Sequence, residues 1–376
     1  MMEGRTARVY YDEPDLRSLD AHVVGITSDG VVLDRTIFYP EGGGQRGDSG
    51  MMDDQKVLST RKVDGDIVHI VGDPGRFQPG QGVHLELDWE PRWRIMQAHT
   101  AQHMIAGTLY NAFSIGTVAI HLGDEELTVE TDRSDIPVAT LYEVERIVNE
   151  AILADRKVSY LEMEHDEAAG LALRRPVKVS GPVRLVRIED VDLIACGGVH
   201  VPSTARIGLV TYDSSETIRG HVRTFWRYGR SAWEHIHMQR EVLSRLSSML
   251  SAPVPDTPEA LSRLLDETRA LKAEVRQRDA LVASMMLERG EKVFVSPVEL
   301  SAYQRLSSPD RRFFTVYDRG GRLDWLLCAN DGVFSRLKER FAAFSMKGGG
   351  RSPLYQGSAE CGVDELVCFM EGLLDG

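Results

Sequence analysis

The stretch Trp93-Arg-Ile-Met-Gln-Ala-His-Thr-Ala-Gln-His-Met-Ile-Ala-Gly107 has helical spacing and separates two differently patterned regions. Short runs of alternating apolar and polar residues precede it. In the residues after it, the apolar positions recur with helical spacing in some segments and with strand spacing in others. His99 and His103 are four positions apart, so both imidazoles should project from one face of the helix. A helix can present two nitrogen ligands to a metal in this way, although such pairs also occur on helices that bind none.

A second pair of metal-binding side chains, Cys196 and His200, follows about ninety positions later. Gly197 and Gly198 between them permit a tight turn, so that a thiolate and an imidazole converge from a loop. Three imidazoles and one thiolate suit zinc, and the sequence predicts one Zn²⁺ per chain. If all four side chains bind the ion, it would only position the groups around it. If three of them bind, the fourth coordination position could hold and activate a water molecule. We favour a site that is partly open during turnover.

The amino-acid composition indicates which classes of protein the chain can belong to. The chain has 376 residues, of which 42% are hydrophobic and 27% charged, as is ordinary for soluble proteins. No apolar run has transmembrane length or forms a signal peptide, so we expect a cytoplasmic protein without membrane contact. The net charge of -13 argues against diffuse attraction to nucleic acid. A local basic surface could still form from Arg219, Arg223, Arg227 and Arg230, although these side chains could equally lie on a solvent-exposed face without a ligand.

The alternation of periods predicts an α+β protein of four parts. We expect a small β-barrel or sandwich over residues 1–91, a zinc-binding α/β core over 92–230, a helical segment over 231–290, and a small α/β domain over 291–376.

The third part should be an αα-hairpin or a short coiled coil, broken near Pro253, Pro255 and Pro258, and a homodimer would fit it. Within the second part, a helix is expected from Pro137 to about Asp155. The imperfect heptad stripe of the third part comprises Leu261, Leu264, Leu265, Thr268, Leu271, Val275 and Leu281.

A glycine-rich stretch, Thr36-Ile-Phe-Tyr-Pro-Glu-Gly-Gly-Gly-Gln45, is the second informative segment. Gly42, Gly43 and Gly44 permit close backbone approach to a ligand, although a triple glycine is also common in plain turns. Thr36 and Gln45 supply a hydroxyl and an amide for a small polar substrate.

Along the chain, the glycine-rich stretch comes first, the His99–His103 pair second and the Cys196–His200 pair third. In this order and spacing, the three motifs resemble the editing domain of alanyl-tRNA synthetase and the free-standing alanyl-tRNA editing proteins, AlaX. Thr117-Val-Ala-Ile-His-Leu-Gly123 looks like another family segment. Lys347-Gly-Gly-Gly-Arg351, with Gln356-Gly357, looks like the glycine-rich signature of the synthetase's C-terminal domain. The resemblance therefore covers nearly the whole chain, and the length and tail point to the long form.

The resemblance implies an aminoacyl-tRNA deacylase that protects translation fidelity by hydrolysing the ester of serine, or glycine, wrongly attached to tRNA(Ala). Because the barrel begins almost at Met1, without an aminoacylation core, we expect action in trans. By resemblance, Thr36 would contact the serine hydroxyl, Gln45 would help to discriminate the substrate, and the three glycines would shape the pocket. The zinc ligands would be His99, His103, Cys196 and His200.

Other site assignments are less direct. Glu41, beside the pocket glycines, could polarise water or could be a turn residue. Lys347 and Arg351 could clamp an RNA backbone, or the glycines around them could form an ordinary turn.

Two alternative functions stay open from the sequence. The chain could be a non-catalytic tRNA-binding dimer with a structural zinc, or it could edit another aminoacyl-tRNA, as threonyl-tRNA synthetase editing modules do. A zinc peptidase is disfavoured, because Thr100 stands where HExxH has its general-base Glu.

Overall fold

The computed structural model describes residues 6–177 and 181–375. It divides into two compact units, Met1–Val242 and Leu243–Gly376, with the boundary inside one long helix. Both units combine strands and helices, so the mixed α+β class predicted from the sequence is confirmed. Among the helices of the described residues, none is long and apolar enough to cross a membrane.

The helices are numbered in chain order. They are α1 Val9–Asp12, α2 Trp89–Phe113, α3 Val138–Leu153, α4 His165–Ala169, α5 Gly229–Leu250, α6 Thr257–Glu288, α7 Ser301–Gln304, α8 Asp331–Lys338 and α9 Val363–Asp375.

The strands are numbered in the same way. They are β1 Ala7–Arg8, β2 Ser18–Ile26, β3 Gly30–Leu33, β4 Arg35–Thr36, β5 Gly50–Met52, β6 Gln55–Val63, β7 Asp66–Val71, β8 Gly82–Leu87, β9 Thr117–Leu122, β10 Glu126–Thr131, β11 Val158–Met163, β12 Val183–Ile188, β13 Asp192–Ala195, β14 Val210–Ile218, β15 His221–Tyr228, β16 Val293–Val295, β17 Phe313–Asp318, β18 Leu323–Cys328, β19 Lys347–Arg351 and β20 Leu354–Ala359.

Strands of the first unit close into a barrel in the order β2-β3-β7-β6-β5-β8. Strand β8 shows why these residues form it: Val83, Leu85 and Leu87 are buried, and the residues between them are exposed. Alternation of this kind buries one face of a strand in the barrel interior. The glycine-rich segment begins at Thr36, the last residue of β4, and leads into barrel strand β5.

Helix α2 follows the barrel directly and runs through the core of the first unit. It packs against α3 and against a sheet of order β14-β15-β10-β9, and strand β13 of a second sheet, β11-β12-β13, also contacts it. Its apolar residues Met96, Met104 and Ile105 are fully buried. Helix α3 begins one residue later than predicted, at Val138, because Pro137 occupies its N-cap position with a non-helical ψ angle of 134°.

The second unit has its own hydrophobic core around a sheet of order β16-β17-β18-β20-β19. Trp325, on the central strand β18, is fully buried. Helix α9 covers the core with Leu366, Met370 and Leu374, which recur every four residues on one helical face.

The predicted helical segment consists of α5 and α6, joined through a short 3₁₀ turn at Val254–Asp256. Pro253 and Pro255 lie in the connection, as predicted. Pro258 does not break a helix: it lies in the first turn of α6, where a missing N–H costs no hydrogen bond. The leucines of the predicted stripe lie on α6 and are exposed.

Candidate metal centre and glycine-rich pocket

Helix α2 brings His99 and His103 to one side of the helix, and both are buried. Their ring centroids are 5.0 Å apart. Cys196 and His200 lie in the loop that follows β13, and the His200 ring lies 4.3 Å from that of His99, centroid to centroid. The structure therefore brings together the four side chains that the sequence singled out.

The loop can approach α2 this closely because residue 198 is glycine. A Cβ atom at Gly198 would lie 2.2 Å from Cε1 of His99 and 3.0 Å from Oε1 of Gln45. At Gly197 the nearest atom, the Tyr11 hydroxyl, would be 3.6 Å away, which is ordinary contact. Gly198 thus allows the loop to pack closely against the His99 imidazole.

The donor atoms have the spacing of a metal site. One ligand atom from each of the four side chains lies within 4.8 Å of every other. Sγ of Cys196 is 3.4 Å from Nε2 of His99 and 3.6 Å from Nε2 of His200. Tetrahedral zinc with ordinary bond lengths to three nitrogens and one sulfur separates the ligand atoms by about 3.3 to 3.6 Å. The cluster can therefore hold a metal ion, and its donor set fits zinc.

Protein groups hold the opposite nitrogens of two of these imidazoles. Nδ1 of His99 is 3.3 Å from Oε1 of Gln45, which also accepts the Val199 N–H at 3.2 Å. Nδ1 of His200 is 3.2 Å from Oγ1 of Thr100. Because Nδ1 is engaged in each ring, Nε2 faces the cluster, which is the usual arrangement around protein-bound metals.

A buried carboxylate lies behind His103 at ion-pair distance, without hydrogen-bond geometry. Its Nδ1 lies 3.3 Å from Oδ2 of Asp192, and Oδ1 of Asp192 accepts a hydrogen bond from Arg174 at 2.8 Å. Asp192 is the first residue of β13, so the strand that leads to Cys196 also supplies this carboxylate. A carboxylate behind a metal-binding histidine raises the basicity of its ring.

Electrostatics favour an ionised thiol in the cluster. Burial raises the pKa of Cys196, but the His99 and His103 charges, with hydrogen bonds from His103 and His200, outweigh it and hold the pKa well below its usual range. Burial lowers the pKa of His103, and the Cys196 thiolate together with Asp192 raises it to about 9. A thiolate is the form of cysteine that binds metals.

Sequence reasoning missed an arginine stacked between two tyrosines beside this loop. The guanidinium of Arg184, on β12, lies 4.2 Å from the Tyr11 ring centroid and 4.0 Å from that of Tyr160. The Tyr160 hydroxyl is also 3.5 Å from the carbonyl oxygen of His200. Such stacking restrains the guanidinium in one orientation.

This stacked arginine holds the backbone between the ligands. Arg184 donates to the carbonyls of Cys196 and Gly198, both at 2.9 Å. The Tyr11 hydroxyl donates to the intervening carbonyl of Gly197 at 2.7 Å. The loop conformation is therefore set by partners that are distant in sequence, and no local sequence signal indicates them.

Thr36 is fully buried and bonds to His69, another residue that the sequence did not single out. Oγ1 of Thr36 is 2.7 Å from Nε2 of His69, whose Nδ1 lies 3.0 Å from the carbonyl of Val31. Because a carbonyl only accepts, Nδ1 carries the proton of the neutral ring and Thr36 donates to Nε2. The same hydroxyl oxygen accepts the Phe38 N–H at 3.0 Å.

The three glycines belong to a tight turn at a surface pocket. Gly42 and Gln45 exchange backbone hydrogen bonds of 3.0 Å, and Gly43 and Gly44 have positive φ angles of 62° and 85°. The pocket has a volume of about 500 Å³, and its lining comprises Glu41, Gly42, Gly43, Gly44, Gln45, Arg46, Arg61 and Lys62. Glu41 is exposed at its edge.

Gln45 connects this pocket to the metal centre. Gln45 lines the pocket, and its side-chain oxygen contacts His99, one of the candidate metal ligands. In the part of the chain that the structure describes, its buried Nε2 has no hydrogen-bond partner. That amide is a donor available to a ligand at the junction of pocket and cluster.

The predicted RNA-contacting cations lie elsewhere. Arg219 is exposed in the turn between β14 and β15, whereas Arg223 is ion-paired with Glu130 at 2.9 Å. Lys347 and Arg351 are exposed at the two ends of edge strand β19 in the second unit.

The glycines between Lys347 and Arg351 have a packing role. A Cβ atom at Gly348 would lie 2.3 Å from the carbonyl oxygen of Gln356 and 2.6 Å from the Trp325 ring. The glycine motif of the second unit therefore lets β19 pass close to β20 and to the Trp325 ring.

Two family models match the chain. Residues 8–91 match the model described as tRNA synthetases class II (A), and residues 183–223 match the threonyl and alanyl tRNA synthetase second additional domain. The first match contains the glycine-rich pocket, and the second contains Cys196 and His200.

Curated relatives agree with these matches. The chain is 28% identical to the alanyl-tRNA editing protein AlaX-L of Pyrococcus horikoshii, and the alignment covers 96% of each protein. It is 34% identical to the alanine–tRNA ligase of Pyrococcus abyssi over 75% of this chain and 32% of the ligase. The chain thus spans about a third of the length of such ligases.

Proposed function

Because this chain is a homologue of the alanyl-tRNA editing protein AlaX-L, we propose that it edits tRNA(Ala) by hydrolysing the ester of wrongly attached serine, with glycine as a second substrate. The observation that carries the proposal is the position of Gln45, which belongs to the glycine-rich pocket and contacts His99 of the metal cluster. An ester held in the pocket would lie beside the metal centre. Free Ser-tRNA(Ala) would be the substrate, since the alignment with AlaX-L covers nearly all of both proteins.

We propose that His99, His103, Cys196 and His200 hold one Zn²⁺ per chain, which the donor set and its spacing support. Bound zinc would supply a fixed positive charge that polarises the ester or positions the terminal ribose. Gln45 would keep the His99 ring in place, and its unpaired Nε2 would donate to the substrate. Glu41, at the pocket edge, would accept a proton from the attacking water.

Selectivity for serine would come from Thr36. With its proton donated to His69 and one lone pair taken by the Phe38 N–H, the Thr36 oxygen retains one acceptor position. A serine hydroxyl can donate to that position and the alanine methyl group cannot. Since Thr36 is fully buried, this contact requires local opening of its segment.

The deciding experiment is a deacylation assay with the purified chain. We expect catalytic amounts to release serine from Ser-tRNA(Ala) and to leave Ala-tRNA(Ala) largely intact. Gln45→Ala should lower kcat/KM by about 10- to 100-fold, as is typical when a partner of a metal-binding histidine is lost. Gln78→Ala, at an exposed glutamine of the barrel, is the matched control and should keep full activity.

Other outcomes of this assay would support the alternatives. Tight binding of tRNA(Ala) without any turnover would indicate a non-catalytic tRNA-binding protein. Faster release of serine from tRNA(Thr) than from tRNA(Ala) would indicate threonyl-type editing. Either result would overturn the proposal.

We also propose that the chain forms a homodimer and that Lys347, Arg351, Arg219 and Arg223 contribute to tRNA binding. The exposed leucines of α6 support the dimer, because an apolar stripe on a long helix is a usual coiled-coil surface. Light scattering of the full chain measures its mass in solution directly, and a monomer would refute the dimer.

A further inference from the structure

Two cations at the rim of the glycine-rich pocket have no role in the function proposed above. Arg61 and Lys62, at the end of β6, are exposed and line the pocket. Neither side chain has a hydrogen-bond or ion-pair partner within residues 6–177 and 181–375. The pocket's other cation, Arg46, is occupied by Asp124 at 3.3 Å. Two positive charges without a paired carboxylate therefore remain, although the whole chain carries -13.

The barrel holds these cations and the glycine turn together. The Glu41 N–H donates to the carbonyl of Thr60 at 2.9 Å, and the Thr60 hydroxyl donates to the carbonyl of Asp48 at 3.0 Å. Gly47 passes so close that a Cβ there would lie 2.0 Å from the Thr60 carbonyl oxygen. Because Thr60 immediately precedes Arg61, the same stretch of backbone positions the turn and the two cations.

The turn itself offers groups that bind anions. A Cβ at Gly43 or Gly44 would meet no atom within 4 Å, so the backbone there is open to a ligand. The structure gives the amides of Gly43 and Gly44 no hydrogen-bond acceptor anywhere in the described chain. Successive unpaired amides beside a left-handed backbone form a concave site for phosphate oxygens.

We propose that Arg61, Lys62 and the Gly42–Gly44 turn bind the phosphate backbone of a single-stranded RNA end. This inference rests on the proposed editing function, because it places the terminal ester at Gln45 and the preceding phosphates on the rim. Guanidinium, ammonium and backbone amides are the groups that proteins commonly use for phosphates. The one acid of the lining, Glu41, leaves the rim with a positive excess.

The test uses binding of uncharged tRNA(Ala) to the full chain, measured by fluorescence anisotropy across a series of salt concentrations. Arg61→Ala/Lys62→Ala should weaken binding and reduce the slope of log K against log salt by about 1.4, or about 0.7 per lost phosphate contact. The control is Lys56→Ala, an exposed lysine on the same strand, about 17 Å away at the usual rise per residue. Its slope should equal that of the wild type.

A second RNA distinguishes the single-stranded end from the rest of the tRNA. On tRNA(Ala) lacking its unpaired 3′ nucleotides, the wild type and the double variant should bind equally. Deacylation by the double variant should show a raised KM with little change in kcat. If the wild type binds and deacylates but the double variant keeps the wild-type salt slope, the phosphate site is refuted and the editing function stands. Absence of deacylation by the wild type refutes the editing function instead.

Discussion

His69 is a buried histidine whose two ring nitrogens are both engaged, by Thr36 and by the Val31 carbonyl. Burial lowers its pKa from 6.5 to about 4, against a smaller opposing effect of the Val31 hydrogen bond. The ring is therefore neutral in the folded chain throughout the physiological range.

This pKa predicts acid sensitivity. Below pH 6.5 the unfolded chain binds a proton that folded His69 does not accept, so stability falls with pH until about pH 4. The loss should reach about 2 kcal/mol at pH 5. In urea unfolding at pH 7 and pH 5, His69→Gln should show a smaller decrease in unfolding free energy than the wild type. Equal decreases in both proteins would contradict the assignment.

The residues that sequence analysis found and missed differ in how far apart they lie. His99 with His103, and Cys196 with His200, are recognisable because each pair is local and has a known ligand spacing. The carboxylate beside one of these rings is not local: Asp192, which faces His103, lies on β13. A contact made only by folding has no periodic or short-range signature, so such partners could not be predicted.

At the scale of elements, the contact between α2 and the loop after β13 can be tested with two adjacent glycines. Gly198→Ala would place a Cβ against the His99 ring, whereas Gly197→Ala would have ordinary contacts. We expect Gly198→Ala to weaken zinc affinity by at least about tenfold, because the ring and loop must separate. Competition with a chromophoric zinc chelator measures this affinity.

Gly197→Ala is the matched control and should bind zinc as the wild type does. Both glycines lie in one loop and neither has a positive φ, so backbone strain does not separate the two variants. Equal weakening by both would show that the loop, rather than its approach to His99, determines affinity.

Helices and strands could be predicted where the spacing of apolar residues within the segment is sufficient to indicate them. Alternation in β8 and the apolar stripe of α3 indicate their buried faces directly. The sequence predicts a break at Pro258, because composition alone does not distinguish the first turn of a helix from its interior. The exposed leucines of α6 show the same limit, because a heptad stripe specifies an apolar face and not its partner.

At the scale of the whole molecule, the candidate metal centre belongs to one unit. The four ligand candidates and the residues that orient them all lie within Met1–Val242, and Leu243–Gly376 has a separate hydrophobic core. A ligand that binds only the folded state stabilises what it binds, by about 2.7 kcal/mol when present at a hundred times its Kd. Metal removal should therefore weaken the first unit selectively.

Hydrogen exchange followed by mass spectrometry can resolve this effect. After dialysis against a chelator, peptides from α2 and from the loop after β13 should exchange faster, and peptides from β17 and β18 should keep their protection. Adding zinc back should restore the slow exchange, which separates metal loss from irreversible damage. Equal acceleration in the second unit would contradict a centre that stabilises the first unit alone, because it would mean that the two hydrophobic cores unfold as one cooperative system.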